Sequence, residues 1–91
     1  MSDLIRKEIH FYGAVQGVGF RYRARYAAQG CGVTGWVKNE WDGSVLMEAQ
    51  GTNEQINKML KLINQGTYIR IDNMKYHEIP IDETERGFHV R

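Results

Sequence analysis

A short glycine-rich stretch that ends in an arginine carries the clearest chemistry in this sequence. Residues 13–21 read Gly-Ala-Val-Gln-Gly-Val-Gly-Phe-Arg and end at Arg21. Glycines let the backbone turn tightly and bring its amide groups close to a ligand. If a helix begins near Phe20, its unpaired N–H groups and partial positive charge favour an anion. Because the forked guanidinium of Arg21 matches phosphate oxygens, the stretch predicts a phosphate site made of backbone amides and one arginine.

Asn39 is the second residue suited to such a site. It ends a predicted strand, just before an Asp-Gly turn signal at residues 42–43. An asparagine amide donates and accepts hydrogen bonds but does not titrate, so it can hold a water molecule and cannot act as a general base. Strands that flank the first helix can bring this position near the helix N-terminus, although spacing along the chain does not prove that proximity.

The groups that usually assist phosphate chemistry are missing around this stretch. Histidines occur at positions 10, 77 and 89, where their spacing matches no metal site and each is predicted to face solvent. The single cysteine, Cys31, has no evident activating partner, and no nucleophile–base pair is visible. Phosphoryl transfer can nevertheless rely on positioning and electrostatics.

The lack of an acid narrows the substrate class. A phosphate ester expels a poor alkoxide leaving group and needs an acid or a metal. An acyl phosphate expels a carboxylate whose conjugate acid has a pKa of about 4, and it needs no such help. If the site is catalytic, the residues therefore favour hydrolysis of a mixed carboxylic–phosphoric anhydride, with no metal and no cofactor.

Hydrophobic periodicity predicts the elements that position these groups. The predicted strands are 5–12, 33–40, 44–50, 69–79 and 88–90, and the predicted helices are 20–29 and a segment between Thr52 and Gly66, with Thr52 and Gln55 as a capping box. The acidic residues 82–85 predict a solvated loop. This order is the β-α-β-β-α-β pattern of the ferredoxin-like α+β fold, an α/β sandwich with two helices on one face of a mainly antiparallel sheet.

The composition is typical of one small globular domain that covers residues 1–91. The chain is 42% hydrophobic and 25% charged, with a formal net charge of +1. Residues 1–38 carry six basic and two acidic groups (+4), and residues 39–91 carry six basic and nine acidic groups (−3), so the positive part contains the glycine-rich stretch. No signal peptide or run of ~20 apolar residues is present. We expect a cytoplasmic monomer with no membrane or nucleic-acid partner.

Two motifs resemble those of the acylphosphatases. Residues 13–21 are similar to that family's G-x-V-Q-G-V-x-F-R signature. The run Gly35-Trp36-Val37-Lys38-Asn39, followed by Gly43-Ser44-Val45 and Gly51, resembles its second signature. Length, element order and the C-terminal segment 87–91 extend the similarity over nearly the whole chain. The resemblance implies a ferredoxin-like sandwich and metal-free hydrolysis of a small-molecule acyl phosphate to carboxylate and phosphate.

The resemblance also implies a role for individual residues. Arg21 would bind the phosphate, Asn39 would orient water for in-line attack, and the substrate's own phosphate would accept the proton. The backbone amides that would bind the phosphate belong to Gln16, Gly17, Val18, Gly19 and Phe20.

Some positions depart from the family pattern. Phe11 stands where an aliphatic residue is usual, Ala14 where many relatives carry a basic residue, and residues 66–68 where Gly-Pro-Pro is frequent. These departures affect packing, loop rigidity and the electrostatic field that an approaching substrate experiences, and none removes a proposed catalytic group.

Other interpretations of the same residues stay open at this point. Residues 16–20 partly match the RNP1 motif of RNA-binding modules, but Val18 and Arg23 stand where stacking aromatics belong, and RNP1 lies on an interior strand. A non-catalytic phosphate- or acyl-phosphate-binding module is the alternative to an enzyme. Trp36 and Trp41 either flank the site or pack against strand and turn.

Overall fold

Five strands and two helices follow one another in the predicted order. The structure is a computed structural model that describes residues 3–91. The elements are β1 (Ile5–Ala14), α1 (Phe20–Cys31), β2 (Thr34–Asn39), β3 (Val45–Gly51), α2 (Asn53–Asn64), β4 (Arg70–Ile79) and β5 (Phe88–Val90). Neither helix has the length and apolar composition needed to cross a membrane, and the described part of the chain contains no other.

The strands form one mixed sheet in the order β4-β1-β3-β2-β5. β1 pairs antiparallel with β3 and β4, β2 pairs antiparallel with β3, and β5 pairs parallel with β2. Since β1 and β2 both run opposite to β3, they point in the same direction and end at the same edge of the sheet. This sheet with its two helices is the ferredoxin-like α+β fold that the sequence predicts.

One face of the sheet carries the core, as strand alternation predicts. Buried apolar side chains on the three central strands recur with a period of two, and they are Ile9, Phe11, Val37, Val45, Met47 and Ala49. The buried residues of α1 and α2 join them in one cluster; these are Phe20, Ala24, Ala27, Ala28, Ile56, Met59 and Ile63. The unusual Phe11 is fully buried, and its ring lies 4.9 Å from that of Phe20 at the start of α1. This contact anchors the beginning of the helix on the sheet.

The predicted element ends are correct to within two residues. Thr52 Oγ1 accepts from the Gln55 amide at 3.1 Å, and Gln55 Oε1 accepts from the Thr52 amide at 2.9 Å, which confirms the capping box. α1 runs two residues past the predicted end and stops at Gly32, a left-handed cap. β1 is also two residues longer than predicted, because β4 continues to pair with it as far as Ala14.

The prediction of a solvated loop over residues 82–85 is wrong for Glu85. Its carboxylate accepts two hydrogen bonds from the buried guanidinium of Arg6, at 2.7 and 2.9 Å. The same guanidinium donates to Glu48 Oε1 at 2.9 Å and to Gln50 Oε1 at 3.2 Å. Arg6 therefore fixes the 80–87 segment to the outer face of the sheet. Hydrophobic periodicity carries no signal for a buried arginine, so the network was not predicted.

Candidate active site

The segment between β1 and α1, residues 15–19, forms a tight loop that we call the glycine loop. Gly17 and Gly19 adopt left-handed backbone conformations with φ of 71° and 78°, which side-chain-bearing residues rarely adopt. Val15 and Phe20 at the two ends are buried in the core. Gly19 is the N-cap of α1, no side chain caps the helix, and its first turn holds no acidic residue. The first amide groups of α1 are therefore left for an external anion.

Gln16 ties the glycine loop to the β2–β3 turn. Its Nε2 donates to the main-chain oxygens of Glu40 at 2.6 Å and of Ser44 at 2.8 Å. The sequence assigned only the backbone amide of Gln16 to the site, and this role of its side chain was missed. A loop has no periodic pattern that would reveal the role of a glutamine side chain. The two acceptors also lie 24 and 28 residues away along the chain.

The β2–β3 turn itself is held by its own hydrogen bonds. The Glu40 amide donates to Ser44 O, and the Gly43 amide donates to Glu40 O. Asp42 Oδ1 accepts from both the hydroxyl and the amide of Ser44, at 2.6 and 2.9 Å. These bonds, first of all the one from the hydroxyl, hold the pKa of the Asp42 carboxyl below its ordinary value. The turn that follows Asn39 is thus a fixed structure.

Arg21 is the second residue of α1, and its guanidinium points back toward the loop and the C-terminal segment. Nη1 donates to the main-chain oxygen of Arg91 at 2.9 Å. Within residues 3–91 no Asp or Glu side chain forms an ion pair with Arg21. Its positive charge is therefore left uncompensated by carboxylate side chains of the described chain. The contact to Arg91, 70 residues away, had no signal in the sequence.

Asn39 reaches the same place from the sheet. It is the last residue of β2 and pairs with Val45, which pairs on its other side with Phe11 of β1. The register therefore sets Asn39 beside the end of β1, where the glycine loop begins. The Asn39 side chain is exposed, and its amide has no hydrogen-bond partner among residues 3–91.

These groups meet around one cavity of about 200 Å³. The residues that line it are Val15, Gly17, Gly19, Phe20, Arg21, Tyr22 and Asn39. Of the predicted site residues, Gln16 and Val18 do not line the cavity; Gln16 is turned to the β2–β3 turn and Val18 packs partly against the core. Tyr22 also lines the cavity and was not among the predicted site residues.

The cavity offers hydrogen-bond donors and one cation but no histidine, cysteine or carboxylate side chain. None of the three histidines lines it, and in the described part of the chain no three His, Cys, Asp or Glu side chains are grouped to hold a metal ion. Trp36 lies on the outer face of the sheet, where the guanidinium of Arg91 stacks 4.8 Å from its ring, and Trp41 is 97% exposed. Such a site can bind an oxyanion, spread its charge and orient a neutral nucleophile.

Comparison with known proteins finds relatives that match nearly the whole chain. The family model described as Acylphosphatase matches residues 7–90. An acylphosphatase of Bifidobacterium longum is 42% identical over 92 residues, which cover 99% of this chain and 95% of the relative. One from Oceanobacillus iheyensis is 38% identical over 86 residues, covering 92% and 94%. The crystal structure of acylphosphatase from Bacillus subtilis superposes with a TM-score of 0.87 at 28% identity, covering 96% of this chain and 98% of that one.

Proposed function

The chain belongs to the acylphosphatase family, and from this membership we infer that the protein is an enzyme that hydrolyses acyl phosphates to a carboxylate and inorganic phosphate. We propose that the reaction takes place in the cavity between the glycine loop and the end of β2. The observation that carries the proposal is that Arg21 and Asn39, which come from different elements, line the same cavity as Gly17 and Gly19.

The phosphate group binds at the N-terminus of α1. Backbone amides of residues 16–20 donate to its equatorial oxygens, and the guanidinium of Arg21 adds charge-assisted hydrogen bonds. The absence of a capping side chain and of acidic residues in the first turn of α1 supports this assignment, because no group of the helix itself competes for these donors. As the transition state forms, the same donors stabilise the charge spread over the equatorial oxygens.

Asn39 holds the attacking water in line with the bond that breaks. Its side-chain oxygen accepts a hydrogen bond from the water. This role is supported because the side-chain amide of Asn39 has no hydrogen-bond partner within residues 3–91. The water oxygen forms a bond to phosphorus, and the bond from phosphorus to the carboxylate oxygen breaks with its electron pair leaving on the carboxylate. The water's proton passes to an oxygen of the phosphate. No side chain of the cavity needs to act as a base.

The leaving group explains why a site without an acid suffices. A carboxylate has a conjugate acid with a pKa of about 4, so it departs unprotonated at neutral pH. An alkoxide leaving group would require a proton donor, and no histidine, carboxyl or thiol side chain lines the cavity to supply one. The site therefore favours acyl phosphates over phosphate monoesters.

Release of phosphate from benzoyl phosphate tests the proposed function. The purified protein should release one phosphate and one benzoate per turnover, at a rate that a chelator such as EDTA leaves unchanged, while p-nitrophenyl phosphate should be turned over far more slowly. A protein that binds phosphate but releases none from benzoyl phosphate would instead be the non-catalytic binding module. We also propose that residues 1–91 act as one domain, since residues of both helices and of the central strands share one core cluster, and that the protein is a cytoplasmic monomer.

A further inference from the structure

Tyr22 is an aromatic residue that the fold does not require where it stands. It occupies the first turn of α1, it is 58% exposed, and its hydroxyl has no hydrogen-bond partner among residues 3–91. The inward stripe of α1 runs instead through Phe20 and Ala24. An exposed tyrosine of this kind is common on surfaces, but Tyr22 also lines the cavity that holds Arg21 and Asn39.

Tyr22 is one of the few residues of the cavity wall whose side chain is accessible to a ligand. Gly17 and Gly19 have no side chains, and Val15 and Phe20 are each only 1% exposed, because they belong to the core. The side chains that reach the cavity from accessible positions are therefore Arg21, Asn39 and Tyr22. In the proposed function the first two engage the phosphate and the water, so Tyr22 is the remaining side chain of the wall that can meet the acyl group.

We propose that the ring of Tyr22 packs against the acyl group of the substrate, and that the enzyme therefore prefers acyl phosphates whose acyl group carries a flat, uncharged, apolar portion such as an aryl ring. This inference rests on the proposed function. In-line attack sets the acyl oxygen on the side of phosphorus away from the water. Asn39 presents the water from β2, whereas Tyr22 projects from α1, so the two residues approach the substrate from different elements.

The chemistry of a tyrosine ring suits this contact. Its backbone is fixed in a 12-residue helix, so only two side-chain torsions are restricted when a ligand binds, and the entropic cost is small. Aromatic rings in contact attract each other beyond the effect of buried area alone. An acetyl group has only a methyl group and no ring for such a contact, while a benzoyl group offers a full ring at the same net charge. The comparison of these two substrates therefore isolates the ring contact from electrostatics.

The test measures kcat/KM for benzoyl phosphate and acetyl phosphate in the wild-type protein and in three variants. In Tyr22→Ala the ratio of the two kcat/KM values should fall about fivefold, which is the scale expected for loss of one partly exposed aromatic contact. Tyr22→Phe, which keeps the ring, should retain the wild-type ratio. Tyr26→Ala is the matched control, because Tyr26 lies one turn further along α1, is 72% exposed and does not line the cavity.

Each outcome decides the inference. A wild-type ratio of the two kcat/KM values in Tyr22→Ala would overturn the inference, and so would an equal fall of the ratio in Tyr26→Ala. A fall of the ratio in Tyr22→Phe would show that the hydroxyl and not the ring makes the contact, which would also overturn the inference. If the wild-type protein hydrolyses neither substrate, the proposed function fails by itself. The affinities for benzylphosphonate and methylphosphonate, which need no turnover, then still decide: their ratio must fall in Tyr22→Ala and persist in Tyr26→Ala.

Discussion

The side-chain amide of Gln16 donates a 2.6 Å hydrogen bond to the main-chain oxygen of Glu40, the residue directly after Asn39. This bond joins the glycine loop, which would hold the phosphate, to the strand end that would hold the water. A second bond from the same nitrogen, to Ser44 O at 2.8 Å, reaches the other end of the turn. A side chain that does not itself line the cavity therefore helps to hold the two halves of the site together.

Replacing Gln16 should reduce turnover more than phosphate binding. In Gln16→Ala the loop and the turn lose their link, and a small displacement of an attacking group can cost about 100-fold in rate. We expect kcat for benzoyl phosphate to fall at least tenfold on this basis, with the inhibition constant of inorganic phosphate changing less. Gln29→Ala, at an exposed position of α1, is the control. Equal losses in kcat and phosphate affinity would show that Gln16 acts on the loop alone.

The sequence predicts those features that depend on local pattern. Helix α2 and its capping box at Thr52 were predicted because helical spacing and capping chemistry depend on residues that lie close together in the sequence. The sequence only suggested that Asn39 lies near the start of α1, where Arg21 stands. That proximity depends on the register of β1, β3 and β2, which is seen only in the structure.

What the sequence did not predict depends on contacts between distant residues. The tether from Gln16 spans 24 residues, and the bond from Arg6 to Glu85 spans 79. Both side chains are polar, so hydrophobic periodicity assigns them to solvent, and no residue near them in the sequence indicates their hydrogen-bond partner. The sheet order sets these groups beside their acceptors: it brings β1 next to β3 and β3 next to β2, and it places β4 and β5 at opposite edges, so that the 80–87 segment joins the two edges.

Arg21 should be required for phosphate affinity and not replaceable by lysine. A lysine keeps the charge but presents a single ammonium instead of a planar fork, so it loses the bidentate contact to phosphate. We expect Arg21→Lys to lower kcat/KM for benzoyl phosphate by about 100-fold or more, within the range found when one oxyanion-stabilising donor is removed. Arg25→Lys, exposed on the same helix, should remain near wild type. Competitive inhibition by phosphate measures the affinity, and a normal inhibition constant in Arg21→Lys would contradict the assignment.

Asn39 should be required for turnover and not for binding. Asn39→Ala removes the acceptor for the water and leaves the donors of the glycine loop and Arg21 in place. We expect kcat to fall about 100-fold or more, as for other groups that position a reactant, while phosphate still binds. Asn57→Ala, exposed on α2, controls for loss of an asparagine. Full activity in Asn39→Ala would show that another group orients the water.

The ion pair between Arg6 and Glu85 should matter for stability, unlike the surface pair between Arg70 and Asp72. The Arg6 and Glu85 side chains are 4% and 9% exposed, whereas those of Arg70 and Asp72 are 71% and 53% exposed. Removing one partner of a buried pair leaves an uncompensated charge and costs about 3–5 kcal/mol of unfolding free energy. Arg6→Met should show a loss of that order in urea unfolding, whereas Arg70→Met should keep the wild-type urea midpoint. Similar values for both variants would mean that Glu85 finds water when Arg6 is lost.

Stability should decline in acid, and the sign follows from three exposed carboxyls. The pKa of Asp42 is lowered by hydrogen bonds from Ser44, that of Asp72 by its bonds from Arg70, and that of Asp82 by bonds from Thr84. A carboxyl whose folded pKa lies below its unfolded value of about 3.9 contributes stability above that value, and the contribution is lost as the pH falls through the folded pKa. We expect the urea midpoint to be level from pH 5 to 7 and to fall below about pH 4. Asp42→Asn should flatten part of that decline, since its folded and unfolded states no longer differ in proton binding at this position. Glu83→Gln, at an exposed position, is the control. If the urea midpoint of Asp42→Asn falls below about pH 4 as steeply as that of the wild type, other groups cause the decline.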